Sequence, residues 1–475
     1  MGHRSHLQTV ELLDAPAVVP VDEAPRLRLS WWGFGVVALV AVAALVGTQA
    51  VLDARERAAV ARFAAVPGVV EPVGPDVRVR WRPPVALANV VRKGIVADGA
   101  FVGLSVADDG SQSVVALEER TGDMRWATSI FGPNPARAAS LDRRVNPCEP
   151  AGAHQVACLV NDGFRHFDEA LRPAVVPPRT TRVVVLDTRD GRTAADRPAP
   201  GVTSMAVVPG LAVLSAPGSV TAQDLLTGVE RWRYRPMRAG VDLSEAAFLS
   251  AVQVFGAGDL VGVSNPGWSV ALLDAAGHVV RTPRPAVEGY RYDEVSGVLA
   301  LLRTTKGGEV RSTILRAGRR DVDVPGTYLD VTVDDGSVPE LVLTSDTSVR
   351  AWDARTGVHR WISDEVASGS ALVVRGRIYF PTMAGIVALD GRTGALLWRS
   401  AVTAGHVPGA LATDGHGVLV ADEPVAGPDR SVLLALGLDD GLPVWSEPLP
   451  DGIHSTAGAG RVLLGLRPDG VAVLG

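Results

Sequence analysis

A chain of 475 residues is too long for one compact hydrophobic core, so it needs several domains or an architecture that grows by repetition. Its 51 glycines and 33 prolines supply many chain reversals, which favours short strands joined by turns over long helices. The formal net charge of -6 lacks the basic surplus of a nucleic-acid binder, and no nucleic-acid partner is expected.

Residues 1–28 mix histidine, arginine, aspartate, proline and valine without periodicity and read as a disordered cytoplasmic tail. From Leu29 to Leu52 there is no charged residue, and these 24 positions suffice for the roughly 30 Å hydrocarbon layer of a membrane. The segment reads as a transmembrane helix partnered by the lipid bilayer, with Trp31 and Trp32 at headgroup level and Arg26 and Arg28 just outside. A cleaved signal peptide, with Thr48 and Ala50 at its small-residue site, is the rival reading and would want a shorter apolar run of about 7–15 residues. Flanking charge does not set the orientation, because Arg26 and Arg28 on one side face Arg55, Arg57 and Arg62 on the other.

Residues 53–76 read as stalk and linker: 53–66 can continue the helix, Pro67 and Gly68 should end it, and Pro72 and Pro75 stiffen the step into the repeated region. The only cysteines, Cys148 and Cys158, lie within one short segment and suit a hairpin-like disulfide, with two unrelated buried thiols as the alternative. Together with a lone N-terminal anchor, the pair favours a single-pass cell-membrane protein whose N-terminus is cytoplasmic and whose large C-terminal part is extracytoplasmic.

From residue 77 to 475 one pattern recurs. Turn-led apolar strands such as RGRIYFPT and GHGVLVAD are followed by second strands such as SVRAWDARTG and GIVALDGRTG. Turn glycines fall at 122, 191, 228, 277, 318, 357, 394 and 441, spaced 69, 37, 49, 41, 39, 37 and 47 residues apart. Such periods mark a ring or solenoid of repeated sheets. The sharpest copies are AQDLLTGVERW (222–232), AWDARTGVHRW (351–361) and ALDGRTGALLW (388–398), with looser ones at 116–126 and 435–445.

Each residue of the string has a structural use. Ala351 or Ala388 allows close sheet packing, and Asp224, Asp353 or Asp390 should accept backbone N–H bonds in the turn, with Thr356 or Thr393 adding a weaker one. Gly122, Gly228, Gly357, Gly394 and Gly441 supply positive φ, and Trp126, Trp232, Trp361, Trp398 and Trp445 should pack on a neighbouring sheet. The C-terminal AGRVLLGLRPDGVAVLG provides two strands without a final turn and tryptophan, while DVRVRWRPP at 76–84 offers the missing strand with Trp81 in the tryptophan position. The expectation is an all-β propeller of four-stranded antiparallel blades, closed by a blade shared between the chain ends. Eight blades are expected, with seven and nine as alternatives, because the unit around Gly318 is weak and residues 127–180 are irregular.

The string A-x-D-x-x-T-G-x-x-x-W resembles the repeat of the quinoprotein-type β-propeller superfamily, which holds quinoprotein alcohol dehydrogenases and a noncatalytic lipoprotein of outer-membrane assembly. The resemblance implies the propeller fold over about residues 77–475. An enzyme of this superfamily would need a vicinal Cys-Cys disulfide under the quinone cofactor, a metal held by Glu, Asn and Asp, and an aspartate base. The sequence has no Cys-Cys pair and no lipobox cysteine near its hydrophobic segment. The pairs Asp108 and Asp109, Asp334 and Asp335, and Asp439 and Asp440 precede glycines and read as turn residues rather than calcium ligands. The histidines at 154, 166, 278, 359, 406, 416 and 454 show no metal-ligand spacing, and Trp268, Tyr290 and Tyr292 read as loop or inter-blade packing before a binding face. The sequence therefore points to a non-enzymatic module with no cofactor and no metal, binding protein partners in a cell-envelope complex. A quinone-dependent oxidoreductase and a small-ligand sensor are the alternatives.

Overall fold

The computed structural model describes residue 49 and residues 63–138, 148–167, 173–236, 252–265, 269–281, 289–293, 295, 297–316, 319–426 and 430–475. The chain divides into two units, 1–59 and 60–475, and all the sheets belong to the second. The expected tail lies outside the described residues, as does the expected membrane helix apart from residue 49. Among the described residues no helix is long and apolar enough to cross a membrane.

The recurrent strands form nine sheets of at least four strands among the described residues, each a blade that is antiparallel save for one strand added to the seventh. In chain order the blades span residues 95–131 (blade 1), 148–198 (2), 204–234 (3), 253–281 (4), 289–325 (5), 327–363 (6), 371–401 (7) and 406–448 (8). Blade 9 joins Ser455–Ala459, Val462–Arg467 and Gly470–Leu474 to Val79–Trp81 from the other end of the chain. Within a blade the strands are lettered a to d from the innermost outward.

Middle strands are buried on both faces, as in Ala100–Val106, because each blade lies between two others. Outer strands alternate instead, as in Leu396–Ala401, where Trp398 is buried between exposed neighbours. Nine hydrophobic clusters fill the gaps, each joining two successive blades. The last joins Val462, Leu464, Val471 and Val473 of blade 9 to Phe101, Val115 and Leu117 of blade 1, so the ring is closed. Closure is held by Val79 opposite Leu474, Trp81 opposite Val473, and the Gly475 N–H donating to Arg78 O (3.1 Å).

The expected number of eight blades is corrected to nine. The unit around Gly318 is a full blade, with Val310–Leu315 paired to Val322–Pro325 although the turn string has decayed between them; Gly318 itself lies outside the described residues. The irregular stretch 127–180 holds the end of blade 1 and the first two strands of blade 2, which is lengthened by a hairpin of Phe164–Phe167 and Pro173–Val176. Blade 7 has five strands, because Val331–Asp334 leaves blade 6 and pairs in parallel with Ala371–Val374.

Part of the stretch read as stalk and linker is built into the ring. Val69 lies in the core between blades 7 and 8, and Val70 and Val73 lie in the core between 8 and 9. The Val70 N–H donates to Thr413 O (3.0 Å) and the Glu71 N–H to Arg461 O (2.7 Å). Glu71 also pairs with Arg80 and Arg120, tying this arm to blade 9 and to the outer turn of blade 1. Val69 and Val70 are adjacent and Glu71 and Pro72 part them from Val73, which is no helical or strand period, yet burying the three offsets the cost of ordering the segment.

Candidate functional site

The strands of a blade run antiparallel, so its a–b and c–d turns share one end and its b–c turn and the exit to the next blade share the other. The repeated string therefore places all its turns on one face of the ring. In blade 7 Asp390 Oδ1 accepts from the Thr393 N–H (2.8 Å) and hydroxyl (2.9 Å), and the Thr393 hydroxyl accepts a longer bond from the Ala395 N–H (3.3 Å). Asp353 with Thr356 and Asp224 with Thr227 repeat the arrangement. In Asp353 the Arg360 guanidinium, with the Thr356 bonds, holds the carboxyl well below the usual carboxylate range. In Asp224 the Thr227 backbone N–H leads, joined by Arg231.

The turn glycines at 122, 191, 228, 277, 357, 394 and 441 all have φ between 68° and 84°. Most also lie under a side chain from the preceding blade. A Cβ at Gly394 would stand 2.5 Å from the Trp361 ring, and Gly122, Gly191, Gly277 and Gly441 lie likewise under Trp81, Trp126, Trp232 and Trp398. Each indole then donates into the turn it covers: Trp81 to Glu119 O, Trp126 to Thr188 O, Trp232 to Ala275 O, Trp361 to Gly391 O and Trp398 to Leu438 O, at 2.9–3.1 Å. Trp445 has no such turn to cover, since blade 9 takes its outer strand from the N-terminal side, and it packs with Val77 and Val79 instead.

The alanine answers the tryptophan. Ala116, Ala222, Ala351, Ala388 and Ala435 lie directly across the sheet from Trp126, Trp232, Trp361, Trp398 and Trp445. Cross-strand partners share a face, so a small residue makes room for the indole. Blade 2 inverts the pair, with Val185 opposite Ala195, and Arg197 covers Gly228 and donates to Asp224 O (3.0 Å). Arg197 was not singled out from the sequence; its position in the repeat is the signal that could have found it.

Cys148 and Cys158 are cross-strand partners in blade 2 and are disulfide-bonded. The acidic pairs serve turns: Asp109 accepts from the Ser111 N–H, Asp334 from Gly336, Asp335 from Ser337, and Asp440 from Leu442, while Asp439 pairs with Arg377. His154 meets Asp98, His278 meets Asp274, His359 lies against the Trp352 edge and His406 faces the buried Asp422. His416 and His454 are exposed, and the side chain of His166 lies outside the described residues. Among the described residues, no three His, Cys, Asp or Glu side chains are grouped to hold a metal.

Tyr290 of blade 5 stacks on Phe255 of blade 4 with centroids 4.0 Å apart, and the Tyr292 hydroxyl accepts from the Gly258 N–H, so both are inter-blade contacts. Trp268 lies outside the described residues. On the opposite face a cavity of about 490 Å³ opens between Arg291, Asp330, Asp346, Ser345 and Ser368. Burial pushes the Asp330 carboxyl up while Arg291, 3.9 Å away, pulls it down. The cavity has charges of both signs, and the Tyr328 hydroxyl in its lining donates to Asp293 Oδ2 (2.7 Å).

Residues 301–470 match the family model described as outer membrane protein assembly factor BamB, covering blades 6 to 8 and parts of 5 and 9. A comparison with curated proteins finds no match. Among solved structures, BamB from Moraxella catarrhalis is 17% identical over 66% of this chain and 99% of its own, with a TM-score of 0.35. Quinohemoprotein alcohol dehydrogenase from Comamonas testosteroni is 14% identical over 87% of this chain and 79% of its own, with a TM-score of 0.38. A eukaryotic initiation factor is 10% identical over 81% and 90%, with a TM-score of 0.46. The propeller assignment rests on the strand order and the nine inter-blade cores, and within it residues 301–470 resemble the BamB family model.

Proposed function

We propose that this chain is a membrane-anchored, extracytoplasmic β-propeller that acts as a protein-binding or scaffolding module in a cell-envelope complex. The observation that carries the reading is where its repeated polar residues go. The Asp, Thr, Gly and Trp of the string close turns and dock blades, which leaves the loops and rims to vary at little cost in stability. The match of residues 301–470 to an assembly-factor family supports a noncatalytic role. Anchoring through residues 29–52, with residues 1–28 in the cytoplasm, follows from their lack of charge, and the Cys148–Cys158 disulfide suits an oxidising compartment.

The test is affinity capture of the full chain in mild detergent followed by mass spectrometry. Stoichiometric co-purification of defined envelope proteins is expected. A saturable bound chromophore after incubation with quinone cofactor and calcium would overturn the noncatalytic reading. A reporter fused at Gly475 should be active outside the cytoplasm, and a reporter active only inside would reverse the topology.

A further inference from the structure

The outer strands of the blades share a bulge immediately before the tryptophan, since the register with strand c slips by one residue there. The extra residue is left without a cross-strand partner and projects at the rim of the turn face. In blades 1, 3 and 6 it is an arginine, and it returns to the carboxylate that ends strand c: Arg125 to Glu118, Arg231 to Asp224, Arg360 to Asp353. In blades 7 and 8 it is Leu397 and Val444.

Those two blades carry no charge between turn glycine and tryptophan, reading ALLW after Gly394 and LPVW after Gly441. Leu396 and Leu397 are each 43% exposed, Leu442 63% and Val444 68%. The two sets adjoin, because Trp398, which follows Leu397, lies on Gly441, which precedes Leu442. Val279 and Val280 of blade 4 form a smaller apolar pair, and the neighbouring blade 3 carries the Arg231–Asp224 and Arg233–Glu230 ion pairs in its outer strand. Exposed apolar residues also follow the turn glycine in blades 1, 3 and 6, as Met124, Val229 and Val358, but there an ion-paired arginine stands beside them. In blades 7 and 8 Leu397 and Val444 take the arginine's place and make four exposed aliphatics on adjoining blades, a surface that meets something apolar.

The position of the patch names the occupant. The described chain reaches the ring at Phe63, which lies against Gly415 in the a–b turn of blade 8. Gly417 is the cross-strand partner of Gly437, where the turn leading to Leu442 begins, so Phe63 and the patch share one end of one blade. Two to three strand spacings, on the order of 10–15 Å, separate them. Ten residues separate the end of the uncharged run at Leu52 from Phe63, a span of at most about 40 Å when extended. We infer that the aliphatic rim of blades 7 and 8, Leu396, Leu397, Leu442 and Val444, dips into the interfacial layer of the bilayer, so that the ring rests on the membrane by this sector. The inference rests on the membrane-anchor reading above.

The test uses the full chain with single cysteines, Leu442→Cys or Met383→Cys, carrying an environment-sensitive fluorophore and reconstituted in phosphatidylcholine vesicles. Met383 is 73% exposed on the opposite face, and both native cysteines are held in their disulfide. Lipids bearing a spin-label quencher near the headgroup should quench the label at 442 at least about twofold more than the label at 383. A chain that floats with vesicles yet shows equal quenching at both sites overturns this inference alone. A chain that does not float, or is released by alkaline carbonate, overturns the anchor reading and the inference together. An emission shift at 442 that needs no lipid and grows with protein concentration would assign the patch to self-association and overturn it also.

Discussion

Replacing Gly394 by alanine separates two demands that the turn makes on one residue. The first is conformational: at φ 72° an L side chain costs about 1–2 kcal/mol. The second is steric, since the new methyl would stand 2.5 Å from the buried Trp361 ring and push it from its site. Displacing the indole weakens its bond to Gly391 O, about 1 kcal/mol net, and disturbs packing around a side chain only 5% exposed, about another 1–2 kcal/mol. Gly394→Ala should therefore destabilise by about 3–5 kcal/mol. Gly376 in the same blade has φ 76° with open space where a Cβ would go, so Gly376→Ala should cost only the backbone part, about 1–2 kcal/mol. Urea unfolding of the full chain in detergent, followed by far-ultraviolet circular dichroism, measures both. In a Trp361→Ala background the cost of Gly394→Ala should fall to that of Gly376→Ala, a coupling of about 2 kcal/mol. Equal costs for the two glycines in the native background, or no coupling, would refute the claim that the indole enforces glycine.

Three further outcomes are expected. Deleting residues 461–475 removes two strands of blade 9 and uncovers both cores it joins, so cooperative unfolding of the whole ring should be lost, as read by calorimetry. Val70→Asp places a carboxylate at a site 1% exposed and should cost at least about 3 kcal/mol, with faster hydrogen exchange over residues 66–73 if the arm peels away first. Burial raises the Asp334 carboxyl above its unfolded value of about 3.9, so its contribution to stability is full below that pH and lost as pH rises through the folded value. Asp334→Asn should therefore stabilise the chain at neutral pH relative to the native protein, and the gain should vanish near pH 3.

The turn string, the shared closing blade and the cross-blade tryptophans were legible because each depends on local chemistry repeated in register. Blade 5 was harder to count because its contact survives without its letters: Val322 takes the tryptophan's place, and a Cβ at Gly357 would lie 2.7 Å from its Cγ1. The arm was illegible for a different reason. Val69, Val70 and Val73 follow no period because they fill gaps left by other strands, and only the closed ring defines those gaps. The five-stranded blade 7 is likewise a long-range result, since Val331–Asp334 finds its parallel partner about forty residues later.

What the substitutions among blades preserve shows what the ring requires. A turn glycine needs a cover from the blade before it, and Trp, Arg197 and Val322 all provide one. Where the cover is an indole its partner across the sheet is small: Ala faces Trp in five blades, and Val185 faces Ala195 at the equivalent pair of blade 2, where the indole is gone and Arg197 provides the cover. The bulged residue next to the cover obeys neither rule, because it points outward and touches no other blade's core. It is therefore the position of the string that can change without loosening the ring. Arg125, Arg231 and Arg360 use it to close an ion pair on their own turn, of small net value at such exposure. Leu397 and Val444 give up that pair and expose aliphatic surface to water, a change that loosens nothing within the ring and leaves the rim of blades 7 and 8 free of charge between turn glycine and tryptophan.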